Sequence, residues 1–231
     1  MSRTAGVLGG MGPAATADFF ARVVAAARGG RDQDHIRLII DNNPFVPDRN
    51  AAAAGQGGSP GAVLADMARG LERAGAEFLV MPCNAAHAYA AEIEAATPLP
   101  FLSMIAATVD ALAATCPSAG RVGVLAADGC LQAHLYQKAL AGRGFDPVLP
   151  GRAEQVRFMA LLYRIKAGEL GADARREMAL LASHLVRLGA DALIAGCTEV
   201  PLVLTPEDAP APLIDCTPAL VAVTLAYARA P

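Results

Sequence analysis

Short apolar runs alternate along this chain with longer stretches whose apolar residues recur at helical spacing, the pattern of parallel α/β structure. Strands are expected over residues 5–9, 36–41, 77–81 and 101–104, and helices over 14–28, 62–74 and 85–96. Pro13 suits a first helical turn, and Gly75 suits the position just past a helix end. The stretch 42–59 reads as one long loop, and the small residues over 51–61 have the composition of a flexible loop beside a site. The same rhythm then returns. Strands are expected over 121–125, 147–149, 192–195 and 213–215, and helices over 131–141, 153–167, 174–188 and 218–229, with Gly189 placed as Gly75 is.

The return is also a return of sequence. Gly75-Ala76-Glu77-Phe78-Leu79-Val80-Met81-Pro82-Cys83-Asn84 aligns without a gap on Gly189-Ala190-Asp191-Ala192-Leu193-Ile194-Ala195-Gly196-Cys197-Thr198. Residues 6–12 align on 123–129 and, more weakly, 100–103 on 212–215. A long-period repeat is evidence about architecture. The expected fold is α/β with two pseudo-symmetric lobes, each a small parallel sheet flanked by helices, and a cleft between them. The third pair hints at a crossover, so the division expected is 1–103 plus 213–231 for the lobe carrying Cys83, and 104–212 for the lobe carrying Cys197.

Composition narrows the classes. Of 231 residues, 54% are hydrophobic, enough for a buried core and too many for a disordered chain. The net charge is -3 with scattered basic residues, which lacks the clustered Lys/Arg footprint of a nucleic-acid binder. The apolar stretch 219–228 falls far short of the roughly 18–20 residues a bilayer span needs, and the first residues lack a signal-peptide pattern. No nucleic-acid or membrane partner is expected, and the cytoplasm is the expected compartment. Five cysteines with no CxxC pair argue against a disulfide framework or zinc site, and the histidines show no metal spacing.

Each repeat places one cysteine directly after a buried strand, at the carboxyl end of a parallel sheet, where ligands bind. A free thiol has a pKa of about 8.5, lowered beside a helix start. Two such thiols on opposite sides of an α-carbon can invert it: one removes the proton while the other supplies one from behind. Each sulfur would stand roughly 3–3.5 Å from its reacting partner, on the order of 7 Å from the other sulfur. Backbone amides at Asn84, Ala85, Thr198 and Glu199 are candidates to stabilise the carbanion-like state. Either cysteine alone reads as an ordinary buried small residue; the paired placement favours a two-thiol site. Cys116, Cys130 and Cys216 lack that symmetry and read as structural.

Gly9-Gly10-Met11-Gly12-Pro13-Ala14-Ala15-Thr16, Pro82-Cys83-Asn84-Ala85-Ala86-His87 and Gly196-Cys197-Thr198-Glu199-Val200-Pro201-Leu202 together resemble three signatures of the aspartate/glutamate racemase family, in its aspartate racemase branch. The resemblance spans nearly the whole chain. It implies cofactor-independent racemisation of an amino acid by Cys83 and Cys197, no metal, and a homodimer. It also implies that Met11 lines the cleft, that Asn84, Ala85 and Thr198 hold the α-carboxylate, and that Arg49 and Lys166 meet the substrate's distal carboxylate. Asp48 and Glu199 would support from behind. The last assignment suits the chemistry, since a second carboxylate calls for a cation and Arg grips it at two points.

Three departures put substrate choice in question. Ala85 stands where the family usually has Thr, Asn50 where Thr is common, and Asp128 lies in a loop that often carries threonines. The bland readings are a loop ion pair for Asp48 and Arg49, a solvated helix residue for Lys166, an exposed first-turn acid for Glu199, and a helix-surface or supporting residue for His87. The glycine-rich turn has neither GxGxxG nor Walker spacing. Alternatives to an aspartate racemase are a glutamate or other amino-acid racemase, a hydantoin racemase, a maleate isomerase, a malonate decarboxylase, which would need only one thiol, and a thiol sensor or amino-acid-binding protein.

Overall fold

A computed structural model describes residues 2–27 and 30–230. The first lobe runs β1 (Ala5–Gly9), α1 (Pro13–Ala27), β2 (Leu38–Asn42), α2 (Arg49–Ala53), α3 (Gly61–Arg73), β3 (Phe78–Val80), α4 (Ala90–Ala96) and β4 (Phe101–Leu102). The connecting helix α5 (Met104–Thr115) leads to the second lobe: β5 (Arg121–Ala126), α6 (Asp128–Gln132), α7 (Leu135–Ala141), β6 (Asp146–Val148), α8 (Arg152–Lys166), α9 (Ala172–Arg187), β7 (Ala192–Gly196), β8 (Leu213–Asp215) and α10 (Cys216–Arg229). The expected end of the first helix at Arg28 lies outside the described residues.

All strands pair in parallel, in two four-stranded sheets ordered β2-β1-β3-β4 and β6-β5-β7-β8. The orders correspond term by term, as the sequence repeat requires. The central strands β1, β3, β5 and β7 are continuous apolar runs because helices cover both faces, leaving few positions for polar side chains.

Matching contacts show why the repeated residues are small. A side chain on Gly6 would come within 2.8 Å of both Ala76 Cβ and Leu79 Cδ2; one on Gly123 would come within 2.6 Å of Leu193 Cδ2 and 3.2 Å of Ala190 Cβ. These glycines let the covering helix approach the sheet. Gly75 and Gly189 have φ of 93° and 95°, a region open chiefly to glycine. Each ends its helix in the same pair of bonds: Gly75 to Glu72 and Ala76 to Leu71, and Gly189 to Val186 and Ala190 to Leu185.

The crossover differs from the expected one. Strand β8 pairs with β7 in the second sheet, so residues 213–215 do not join the first lobe's sheet. Only α10 crosses. Its Cys216, Leu220, Val221 and Leu225 pack with Ala5, Val7, Phe19 and Phe78 of the first lobe. Helix α5 makes the reciprocal crossing, placing Ile105, Val109 and Leu112 with Val122, Val124 and Ile194 of the second. Each sheet is therefore covered in part by the helix that follows the other sheet's last strand. Helix α5 was absent from the sequence expectation, although Ser103 caps it by accepting from the Ala106 N–H.

Other local differences have local causes. Helix α2 forms inside the expected 42–59 loop because the Asp48 carboxylate accepts from the Asn50 and Ala51 N–H groups. The expected helix 85–96 splits into a 3-10 turn over Ala85–Tyr89 and α4. There the His87 ring occupies the Cys83 carbonyl, and the His87 N–H bonds to the Asn84 carbonyl instead. The expected helix 131–141 splits into α6 and α7 at His134, which adopts φ 55°.

Candidate active site

Cys197 directly follows β7, and Cys83 follows β3 after Met81-Pro82. The two cysteines line a single cavity with Met11, Arg49, Asn50, Asn84, Ala85, Ala127, Lys166, Thr198 and Glu199. Residues distant in sequence thus converge because both sheets present the carboxyl ends of their central strands to one cleft.

The surroundings of the two sulfurs differ. Cys83 is 7% exposed and packs with Met11, Val46 and Met81. The Cys197 thiol donates to Glu199 Oε2 at 2.9 Å, and the Thr198 hydroxyl donates to the same oxygen at 3.1 Å. Burial, followed by the Glu199 charge, pushes the Cys197 thiol well above its ordinary range; Lys166 and the Glu199 backbone N–H pull it back only in part. Glu199 Oε1 faces Lys166 Nζ at 3.8 Å. Burial acts to lower the Lys166 ammonium, but Glu199 and the two thiols outweigh it, and its pKa lies above the ordinary value. Glu199 is itself buried, so it is not the exposed helix-start acid of the bland reading.

Arg49 opens α2, and its guanidinium donates to the carbonyls of Val46 at 3.2 Å, Pro47 at 3.1 Å and Met11 at 3.5 Å. Among the described residues it has no carboxylate partner. Asp48 is spent on capping α2 rather than on pairing with Arg49. Asn50 Oδ1 accepts from the Gly129 N–H at 3.0 Å, tying α2 to the second lobe across the cleft.

Two residues occupy places their motifs did not reveal. The Asn84 side chain is committed inward: Oδ1 accepts from the Tyr136 hydroxyl at 2.7 Å and Nδ2 donates to Cys216 Sγ at 3.2 Å. Its amide oxygen and one of its two amide N–H groups are therefore already engaged, while the residue still lines the cleft. His87 is buried, its Nδ1 bonded to the Cys83 carbonyl at 2.8 Å and its Nε2 accepting from the Met104 N–H at 2.9 Å. Those partners make Nδ1 the protonated nitrogen. Burial lowers its pKa to about 4, and the ring supports the Cys83 backbone without touching the thiol in these bonds. Asp128 does not line the cleft; its carboxylate accepts from Gln155 Nε2 at 2.7 Å. Asn50 drew notice only as a departure, and Tyr136 drew none, because a tyrosine on an apolar helix reads as core.

The chain belongs to the Asp/Glu/Hydantoin racemase family, whose profile matches residues 8–224. It is 27% identical over 228 residues to the broad specificity amino-acid racemase RacX of Bacillus subtilis, covering 95% of this chain and 96% of that protein. Its fold superposes on Picrophilus torridus aspartate racemase with a TM-score of 0.86 at 28% identity, over 98% of this chain and 94% of that one. A glutamate racemase of Pseudomonas paraeruginosa is 38% identical over 141 residues, 58% of this chain and 49% of that protein. Among the described residues no helix is long and apolar enough to cross a membrane.

Proposed function

We propose that the protein is a cofactor-independent amino-acid racemase that interconverts L- and D-aspartate, with Cys83 and Cys197 as its proton-transfer groups. The observation that carries this reading is the cleft itself: two thiols, one from each lobe, line it together with Arg49 and Lys166. In one direction the Cys83 thiolate takes the α-proton, breaking C–H and forming S–H. The Cys197 thiol then gives its proton to the opposite face, leaving a thiolate beside Glu199. The reverse direction exchanges the roles. Glu199 accepts the Cys197 hydrogen bond at 2.9 Å and its charge disfavours the thiolate, so Cys197 starts as the thiol; the S–H leaves Glu199 when its proton passes to the carbanion. The backbone N–H groups of Asn84 and Thr198 donate to no acceptor among the described residues, which supports their use toward the α-carboxylate and its developing charge.

The cavity between the thiols measures about 20 Å³, room for roughly one water. A larger cavity of about 260 Å³ adjoins it, sharing Lys166, Thr198 and Glu199, and the Asn50–Gly129 bond spans the cleft on another side. Arg49 can exchange its carbonyl partners for a distal carboxylate. Lys166 is already shared with Glu199, and Ala85 offers no hydroxyl. These features, with the similarity to a broad specificity racemase, favour tolerance of other polar amino acids over strict selection of aspartate. A homodimer in the cytoplasm belongs to the same proposal and rests on the family resemblance.

Chiral chromatography of L-aspartate, L-glutamate and other L-amino acids incubated with the purified protein tests the reading. Appearance of a D-enantiomer, absent with Cys83→Ser and with Cys197→Ser, is expected. Silence on every amino acid alongside turnover of maleate or a hydantoin would move the chain to another branch of the family.

A further inference from the structure

One buried side chain touches the segments that carry both thiols. Tyr136, on α7, is completely buried. Its hydroxyl donates at 2.7 Å to the amide oxygen of Asn84, the residue after Cys83. Its ring edge lies against Gly196, the residue before Cys197, so closely that a Cβ there would meet Cε2 at 2.8 Å. The hydroxyl has a second neighbour in Thr108 Oγ1 on α5 at 3.5 Å. Asn84 is held on its other side by Cys216, the first residue of α10. Tyr136 thus stands between the two cysteine segments, braced directly by α5 and, through Asn84, by α10. His134, held at φ 55° ahead of α7, breaks the helix where it would otherwise run on from α6.

We infer that Tyr136 is a positioning residue: it sets the separation and facing of Cys83 and Cys197. The hydroxyl fixes one segment through Asn84, and the ring fixes the other through the missing side chain of Gly196. The inference rests on the two-thiol reading of the cleft. It gives the Asn84 amide oxygen a spacing role, and it gives Gly196 a reason to lack a Cβ.

Tyr136→Phe separates the two contacts, since it deletes the hydroxyl and keeps the ring under Gly196. In heavy water a well-aligned pair delivers a solvent deuteron mainly to the face opposite the lost proton, so deuterium appears in the inverted product. A misaligned pair returns a deuteron to the same face more often, so deuterium appears in the unreacted enantiomer. The expected result for Tyr136→Phe is a rise of several-fold in the ratio of retained to inverted exchange. A fall in kcat of about tenfold or more, with KM within about twofold, should accompany it. The ratio does not depend on the folded fraction, because unfolded molecules contribute to neither product. Val23→Ala, which loosens a core cluster of the first lobe that contains neither Tyr136 nor either site cysteine, serves as the stability control and should leave the ratio at the wild-type value. An unchanged ratio in Tyr136→Phe, or an equal rise in the control, would overturn the inference.

A second measurement is independent of turnover. A short dihaloalkane, each halide displaced by one cysteine sulfur, should bridge Cys83 and Cys197 in the wild type, read by intact mass, and the bridged yield should fall several-fold in Tyr136→Phe while single alkylation of each cysteine is unchanged. Equal bridging would also refute the spacing role. Bridging that depends on Tyr136 in a protein that racemises nothing would instead leave the spacing in place and remove the racemase reading.

Discussion

At the scale of single residues, the two thiols are chemically unequal although the sequence repeats around them. Glu199 contributes to the rise in the Cys197 thiol, second to burial. Replacing it with Gln removes the negative charge, so the thiol should ionise at lower pH. Iodoacetamide modification of Cys197, followed by peptide mass, should then speed up near neutral pH, because a lower pKa leaves more thiolate at fixed pH. An unshifted pH profile would mean that burial alone sets this thiol. His87 is a different case, held neutral with a pKa near 4 against an ordinary value of 6.5. As pH falls below 6.5 the unfolded chain takes up a proton at this ring that the folded protein refuses. Stability should therefore fall between about 6.5 and about 4 and lose nothing further to this group below that, for a total of about 3 kcal/mol. Urea midpoints at neutral and acid pH should show His87→Gln less stable at pH 7 but lacking this part of the acid loss. The same acid slope in the variant would assign it to other groups.

At the scale of elements, the strands were the most legible part of the chain. Continuous apolar runs ending in turn residues announce buried parallel strands, and the observed β1, β3, β5 and β7 fall inside or within a residue of their expected ranges. Helix ends marked by Gly75 and Gly189 were legible for a comparable reason, since a left-handed residue there favours glycine. What stayed hidden depends on side chains meeting across distance. Helix α5 is apolar on most of its surface and buried against the other lobe, so no polar face marks it as a helix. The break at Tyr89 follows from a His87 ring bond that periodicity does not encode. In the site, Cys83, Cys197 and Glu199 came from motif and repeat, whereas the inward turn of Asn84 required knowing that Tyr136 and Cys216 lie beneath it. The repeat makes a direct prediction here. Gly123→Ala places a Cβ 2.6 Å from Leu193 Cδ2, in a core where Leu193 is fully buried and has little room to yield. Urea denaturation should show a loss of about 1–3 kcal/mol, with a similar loss for Gly6→Ala in the other lobe. Unchanged stability in either would mean that the helix can lift from its sheet at little cost.

At the scale of the whole molecule, the sequence repeat becomes a pair of sheets with the same strand order, each covered in part by the other's final helix. That exchange binds the lobes into one body while leaving a cleft where the carboxyl ends of both sheets meet. A mirror-related reaction suits such a frame: in the proposed mechanism each lobe would bring one thiol to one face of a planar intermediate. The most direct test is proton NMR of the α-position of L- and D-aspartate in heavy water with the single variants Cys83→Ser and Cys197→Ser. Two thiols on opposite faces predict that each variant loses racemisation and retains α-deuteration of one enantiomer only, with opposite enantiomers for the two variants. Deuteration of both enantiomers at wild-type rates in a protein lacking either cysteine would contradict the two-thiol site.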